Sequence, residues 1–183
     1  MMRHLPNLLS GLRLLLAPFA AWAVLNDHDT AALAAFAMAG LSDFLDGQIA
    51  RRFGVTSRFG GWLDPVADKL LMLFCFIALL RIGAAPFWLV VLVLSRDLLI
   101  AGGASIAWSL SLPLRLQPLA IGKATTAVEI FYIGAVLLLL ALDWQAPRLM
   151  LAGAAAVGVF VTLSALAYGR LFLRALIFGQ RTA

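Results

Sequence analysis

The chain has 183 residues, of which 63% are hydrophobic, and it carries a formal net charge of +5 with a mean hydropathy of +1.00. An apolar share so far above the roughly 45–50% of soluble domains excludes an ordinary water-soluble globular protein. The single cysteine, Cys75, cannot form an intrachain disulfide and reads as inert packing. The basic balance lacks a stripe of Lys and Arg with interleaved aromatics, so nucleic acid is not an expected partner.

A bilayer span takes about 20 mainly apolar residues. The chain therefore holds six spans and little else, as a single all-α, polytopic membrane domain over residues 1–183. Residues 1–7 are expected in the interface, with Arg3 and His4 near headgroups. The spans are predicted at 8–25, 31–50, 61–81, 86–110, 121–142 and 148–178. The breaks at 26–30, 51–59, 82–86, 111–118 and 143–147 carry the Gly, Pro and polar residues of loops. Pro18 interrupts the first apolar run and no small-residue cleavage pattern precedes residue 26, which argues against a signal peptide. The last stretch is long for one span and is expected to leave the membrane near Gly169 and Arg170 as an interfacial helix.

Six spans put both termini on one side. That side collects Arg3, Arg51, Arg52, Arg58, Arg115, Arg170, Arg174 and Arg181, with Lys123 at its edge, whereas the opposite loops hold Arg81 and Arg148. The positive-inside rule then predicts cytoplasmic termini and a cytoplasmic connection between spans two and three.

That connection is flanked by Asp43, Asp46, Asp64 and Asp68. Even spreading of the chain's eight aspartates would put about one in the window 43–68, which holds four. A carboxylate at membrane depth costs about 2.5–3.5 kcal/mol, so four need compensation and read as a functional site. Asp43 and Asp46 are three apart, Asp64 and Asp68 four apart, and each spacing keeps its pair on one helix face. The two helices are expected to be antiparallel neighbours, so that the pairs meet. Divalent cations relieve the repulsion, and an all-oxygen set favours Mg²⁺, Mn²⁺ or Ca²⁺ over zinc, since His4 and His28 are remote in sequence. Gly47, Ala50, Gly60 and Gly61 leave room for close approach, and Arg51 suits a phosphate. Together these residues describe a diphosphate site. An interfacial ion-pair set with a small-residue packing seam is the plain structural alternative. An ion-conducting or lipid-binding membrane protein is the non-enzyme alternative, but no repeated half with interrupted helices supports a transporter.

The array Asp43-x-x-Asp46-Gly47-x-x-Ala50-Arg51, eight residues, Gly60-x-x-x-Asp64-x-x-x-Asp68 resembles the complete signature of the CDP-alcohol phosphotransferase family. The resemblance extends to Leu5-Pro6-Asn7-Leu8-Leu9, to Ser95-Arg96-Asp97 and to the run from Gly122 to Thr126. It implies transfer of a substituted phosphoryl group from a CDP-linked lipid to an alcohol, with release of CMP. By the motif, Asp43, Asp46, Asp64 and Asp68 hold two divalent metals, Mg²⁺ or Mn²⁺. Asp68 is the general base, and Asp46, Gly47, Ala50, Arg51 and Gly60 receive the CDP diphosphate. For a family member of this size and span count the resemblance implies CDP-diacylglycerol as donor; it also implies a homodimer, to which the stretch 153–158, a helix-packing seam or simply flexible packing, lends weak support.

Arg58, Lys69, Arg96, Arg115 and Lys123 are the candidates for an acceptor phosphate. Arg96 stands out because it lies deep in span four, where it needs an anion, and Asp97 is expected to point elsewhere on the helix. A phosphate-bearing acceptor is thereby favoured, phosphatidylglycerol or glycerol-3-phosphate, and the resemblance of the runs 95–100 and 115–118 and of Lys123 puts phosphatidylglycerol, giving cardiolipin, first.

Overall fold

The computed structural model describes residues 5–53, 60–110 and 119–178. Among these the chain is all-helical: α1 (Leu5–Leu25), α2 (Asp29–Phe53), α3 (Gly60–Arg81), α4 (Phe87–Ser109), α5 (Ala120–Ala141) and α6 (Pro147–Phe178). Each predicted span has its helix, with ends within about a turn of expectation. Three stretches, Phe87–Ala107, Ala120–Ala141 and Pro147–Ala175, are long and apolar enough to cross a membrane, which marks a membrane-associated chain. Leu5, Pro6 and Asn7, expected in an interfacial segment, are already helical and continuous with α1; Pro6 is tolerated there because proline has no backbone N–H and a first-turn N–H would have no intrahelical acceptor anyway. α6 is helical through Gly169 and Arg170. Its 32 residues span about 48 Å at the α-helical rise, more than the roughly 30 Å hydrocarbon core.

Packing resolves into two compact units. The first comprises α1, α2, α3 and the stretch Ile133–Pro147. Here α1 packs on α2 and on α3. Its buried stripe is Arg13, Ala17, Ala20 and Val24, while Leu15, Phe19 and Trp22 are exposed. α2 buries Ala32, Ala35, Phe36, Ala39 and Ser42 in the same fashion. Small residues inside and large apolar residues outside invert the pattern of a soluble helix, and the small side chains let backbones approach closely. Among the described residues, α1 is a shared packing partner of α2 and α3.

Three helices in this unit end in the same capping motif. Asp27, Gly83 and Asp143 take φ of 57°, 77° and 52°. The next residue donates its N–H back to a carbonyl five positions earlier: His28 to Ala23 at 2.9 Å, Ala84 to Leu79 at 2.9 Å and Trp144 to Leu139 at 2.9 Å. Carbonyls that a helix end leaves unsatisfied are thus paired.

The turn between α1 and α2 concentrates acidity. Burial and the neighbouring charges of Asp27 and Asp143 raise the Asp29 carboxyl above its ordinary value of 3.8, against a smaller opposing effect of His28. Asp29 lies outside the predicted spans. Because its folded-state pKa is raised, its contribution is complete below 3.8 and is lost as pH rises through the raised value. Asp29→Asn should therefore raise the melting temperature slightly at neutral pH, and the gain should vanish below pH 3.8. Thermal melts across that range check it.

The second unit comprises α4, the first part of α5, and α6. Here aromatic rings sit over glycines. An ideal Cβ on Gly103 would fall 2.3 Å from the Phe172 ring, one on Gly158 2.8 Å from the Trp88 ring, and one on Gly153 3.0 Å from the Tyr132 ring. α6 thus receives Trp88 of α4 and Tyr132 of α5 in notches along its own length. Within the stretch 153–158, Gly153 and Gly158 thus receive rings from the same chain. Gly103→Ala forces the Phe172 ring to move and should cost about 1–3 kcal/mol, in line with other overpacked cores. The measurement is the melting temperature of the purified variant in detergent.

Candidate active site

The first unit holds the carboxylates, and α1 supplies what sequence reading passed over. Arg13 is completely buried on the α1 stripe that faces inward. One of its guanidinium nitrogens, Nη1, donates to Asp43 Oδ1 of α2 at 2.8 Å and to Asp68 Oδ1 of α3 at 2.5 Å. The arginine side chain is 1% exposed, whereas the Asp43 and Asp68 side chains are 53% and 47% exposed. The cation is sunk between helices and the anions open outward. Just inside Asp43 on α2, Ser42 is buried and donates to the Ala39 carbonyl at 2.8 Å, which satisfies its hydroxyl within its own helix.

Thus Asp43 and Asp68, from the two aspartate pairs, converge on a single positively charged point. The side chains of Asp46, Gly47, Ala50, Arg51, Gly60 and Asp64 lie outside the described residues, although their backbones belong to α2 and α3, and Arg58 and Arg115 lie outside altogether. Among the described residues no group of three His, Cys, Asp or Glu is gathered as for a metal. The fit to a hard divalent ion rests instead on the described pair: two carboxylate oxygens from different helices already meet one cationic nitrogen, and both donors are oxygen. Arg13 had a sequence signal. It is the one charged residue of α1, and an arginine within an apolar span demands an anion as surely as an aspartate demands a cation.

The candidate acceptor residues divide. Lys69 follows Asp68 on α3 and is exposed, and Lys123 is exposed near the start of α5. Arg96 is buried. Its Nη1 donates to Asp97 Oδ1 at 2.8 Å, Nε to Ser164 Oγ at 3.2 Å and Nη2 to the Gly122 carbonyl at 3.4 Å. The expectation that Asp97 points away from Arg96 is corrected: the long arginine side chain doubles back, so residues adjacent on the helix form an ion pair. The anion that Arg96 needs is found within the chain.

Around Arg96, α4, α5 and α6 are tied together. Tyr168 of α6 accepts the Leu119 N–H at 3.1 Å. An ideal Cβ on Gly122 would lie 2.8 Å from the Tyr168 hydroxyl and 3.4 Å from Arg96 Nη2, so the glycine at the start of α5 makes room for both groups. Thr125, fully buried, donates to the Ile121 and Phe160 carbonyls at 2.8 and 3.1 Å. Beside this knot, α4 and α6 form an open pocket of about 370 Å³, lined largely by apolar residues such as Leu92, Leu99, Val161 and Leu173, with Arg96 and Arg170 also on its wall.

The array lies within the stretch of the chain that matches a known family. Over residues 3–168 the chain matches the CDP-alcohol phosphatidyltransferase family, and it belongs to that family. It is 34% identical over 146 residues to a Drosophila melanogaster protein named probable cardiolipin synthase (CMP-forming), covering 71% of this chain and 45% of the other. It is 36% identical over 152 residues to the chloroplastic CDP-diacylglycerol–glycerol-3-phosphate 3-phosphatidyltransferase 1 of Oryza sativa subsp. japonica, covering 74% and 46%. It is 35% identical over 147 residues to the cardiolipin synthase (CMP-forming) of Rattus norvegicus, covering 72% and 49%. The chain spans about half the length of these curated relatives.

Proposed function

We propose that the protein is a membrane-embedded phosphatidyltransferase of phospholipid biosynthesis. It transfers the phosphatidyl group of CDP-diacylglycerol to the hydroxyl of phosphatidylglycerol, yielding cardiolipin and CMP. The observation that carries the reading is the convergence of Asp43 and Asp68 on one cationic point, within the full eight-position array of the family. In the step, the acceptor oxygen forms a bond to the phosphatidyl phosphorus, the bond from that phosphorus to the CMP oxygen breaks, and the hydroxyl proton passes to the Asp68 carboxylate. Asp43, Asp46, Asp64 and Asp68 would hold two Mg²⁺ or Mn²⁺ ions. Bound there, the metals supply Lewis-acid stabilisation of charge on the diphosphate and on the departing CMP oxygen. Asp46, Gly47, Ala50, Arg51 and Gly60 would form the bed for CDP.

The six helices serve as spans in this reading, with termini and aspartates on the cytoplasmic side and two copies forming a dimer. Exposed Lys69 and Lys123, together with Arg58 and Arg115, are the basic groups assigned to the acceptor phosphate. Arg96, already engaged by protein groups, is assigned to shaping that region.

Glycerol-3-phosphate is the second acceptor reading, favoured by the name of the rice relative. Purified protein offered CDP-diacylglycerol and Mg²⁺ or Mn²⁺ should release CMP with phosphatidylglycerol and form cardiolipin. A lipid product from glycerol-3-phosphate alone would transfer the assignment to that acceptor. No CMP with either would remove the enzyme reading.

A further inference from the structure

Resting on the reading of the aspartates as a divalent-metal site, we propose that Arg13 is the internal counter-ion of that site. Its guanidinium occupies the point between Asp43 and Asp68 when metal is absent and gives it up when metal binds. Three observations lead there. Arg13 approaches Asp43 and Asp68 with one and the same nitrogen, so it stands between carboxylates of α2 and α3 as a bridging cation would. The arginine is wholly buried on α1, the helix that packs on both carboxylate helices. The carboxylates are about half exposed and can be reached from outside without moving α1.

The charge arithmetic gives the arrangement a purpose. Without a cation, clustered carboxylates repel one another and push their helices apart, and a guanidinium is positively charged at every relevant pH. Arg13 keeps the aspartates assembled for metal. It also competes with metal, because a cation a few ångströms away opposes a second cation and holds the same oxygens. Affinity is thereby held down in exchange for a site that never collapses or splays. Arg13 is a positioning residue in this account; the reacting atoms are handled by others.

Competition and simple support predict opposite signs. Replacing Arg13 by Gln removes the charge and leaves no buried carboxylate stranded, since Asp43 and Asp68 are partly solvated. Mn²⁺ binding to purified wild-type protein, Arg13→Gln and Arg13→Lys is followed by electron paramagnetic resonance, with thermal melts run with and without Mn²⁺. Arg13→Gln should bind Mn²⁺ about tenfold or more tightly than wild type, given the size of a nearby charge's effect. Its metal-free form should melt lower, and saturating Mn²⁺ should restore the difference. Arg13→Lys, which keeps the charge, should bind Mn²⁺ much as wild type does. Unchanged or weaker Mn²⁺ binding by Arg13→Gln overturns the proposal, and so does equal tightening in Arg13→Lys. Should Arg13→Gln prove unobtainable even when prepared throughout in saturating Mn²⁺, the claim that metal takes over Arg13's place also fails. Wild-type protein that binds no Mn²⁺ is a different result: it removes the metal reading itself.

Discussion

Asp68→Asn should lower CMP release by about 10²- to 10⁴-fold, the usual worth of a positioned general base, while the protein still inserts and melts close to wild type. Retained folding follows from the geometry. The asparagine carbonyl is still an acceptor for Arg13 Nη1, and the charged bond from that nitrogen to Asp43 is untouched. Asp43→Asn supplies the contrast. Asp43 shares the same nitrogen but is assigned only to metal, so its loss should raise the Mn²⁺ concentration needed for turnover and be partly rescued by excess Mn²⁺. Excess metal should leave Asp68→Asn dead, because an amide cannot take the acceptor's proton. The measurement is CMP release from CDP-diacylglycerol over a Mn²⁺ titration for wild type and both variants. Near-normal turnover by Asp68→Asn, or its recovery with metal, would end the assignment of Asp68 as base.

How legible this site was depends on which residues one asks about. The helices were readable because each is a long, mainly apolar run, and Asn26, Gly83 and Pro147 punctuate the runs. Asp43 and Asp68 were readable as partners because helix spacing puts each in register with its motif mate. Arg13 escaped because a search for clustered carboxylates weighs the unusual residues near one another in sequence, and Arg13 lies 30 and 55 positions from its partners. Only the packing of α1 on both α2 and α3 brings it to them. Its isolation in an apolar helix was the available signal, the same desolvation argument that singled out the aspartates. The same argument singles out Arg96, but not its partner Asp97. Helix geometry directs neighbouring Cβ atoms about 100° apart, yet a side chain as long as arginine reaches across that angle to Asp97. The glycines were ambiguous for a further reason: a stretch such as 153–158 announces close approach without saying whether the visitor comes from the same chain. Trp88 and Tyr132 answer that only in three dimensions.

The Arg96 network yields the other large effect, and it is one of stability. Arg96→Leu removes the cation of a part-buried pair and leaves Ser164 and the Gly122 carbonyl without their arginine contacts. Breaking one side of a fully buried pair costs about 3–5 kcal/mol; for this part-buried one about 2–3 kcal/mol is expected, which for a chain of this size corresponds to a fall of roughly 4–12 °C in melting temperature. The double variant Arg96→Leu with Asp97→Leu should recover part of that loss, because an apolar pair leaves no unmatched charge at these two positions. Asp97 is more accessible than Arg96, so the recovery should be incomplete. The same proteins discriminate between the roles open to Arg96. As a structural tie among α4, α5 and α6, its loss should appear in the melt while the folded fraction keeps the wild-type KM for the acceptor. Lys123→Ala should do the reverse, raising that KM with the melt unchanged, because Lys123 projects from the start of α5 as an exposed side chain. A large rise in acceptor KM for Arg96→Leu without any thermal shift would return Arg96 to the acceptor phosphate. The three-helix knot would then be a by-product of holding that arginine in place for its ligand.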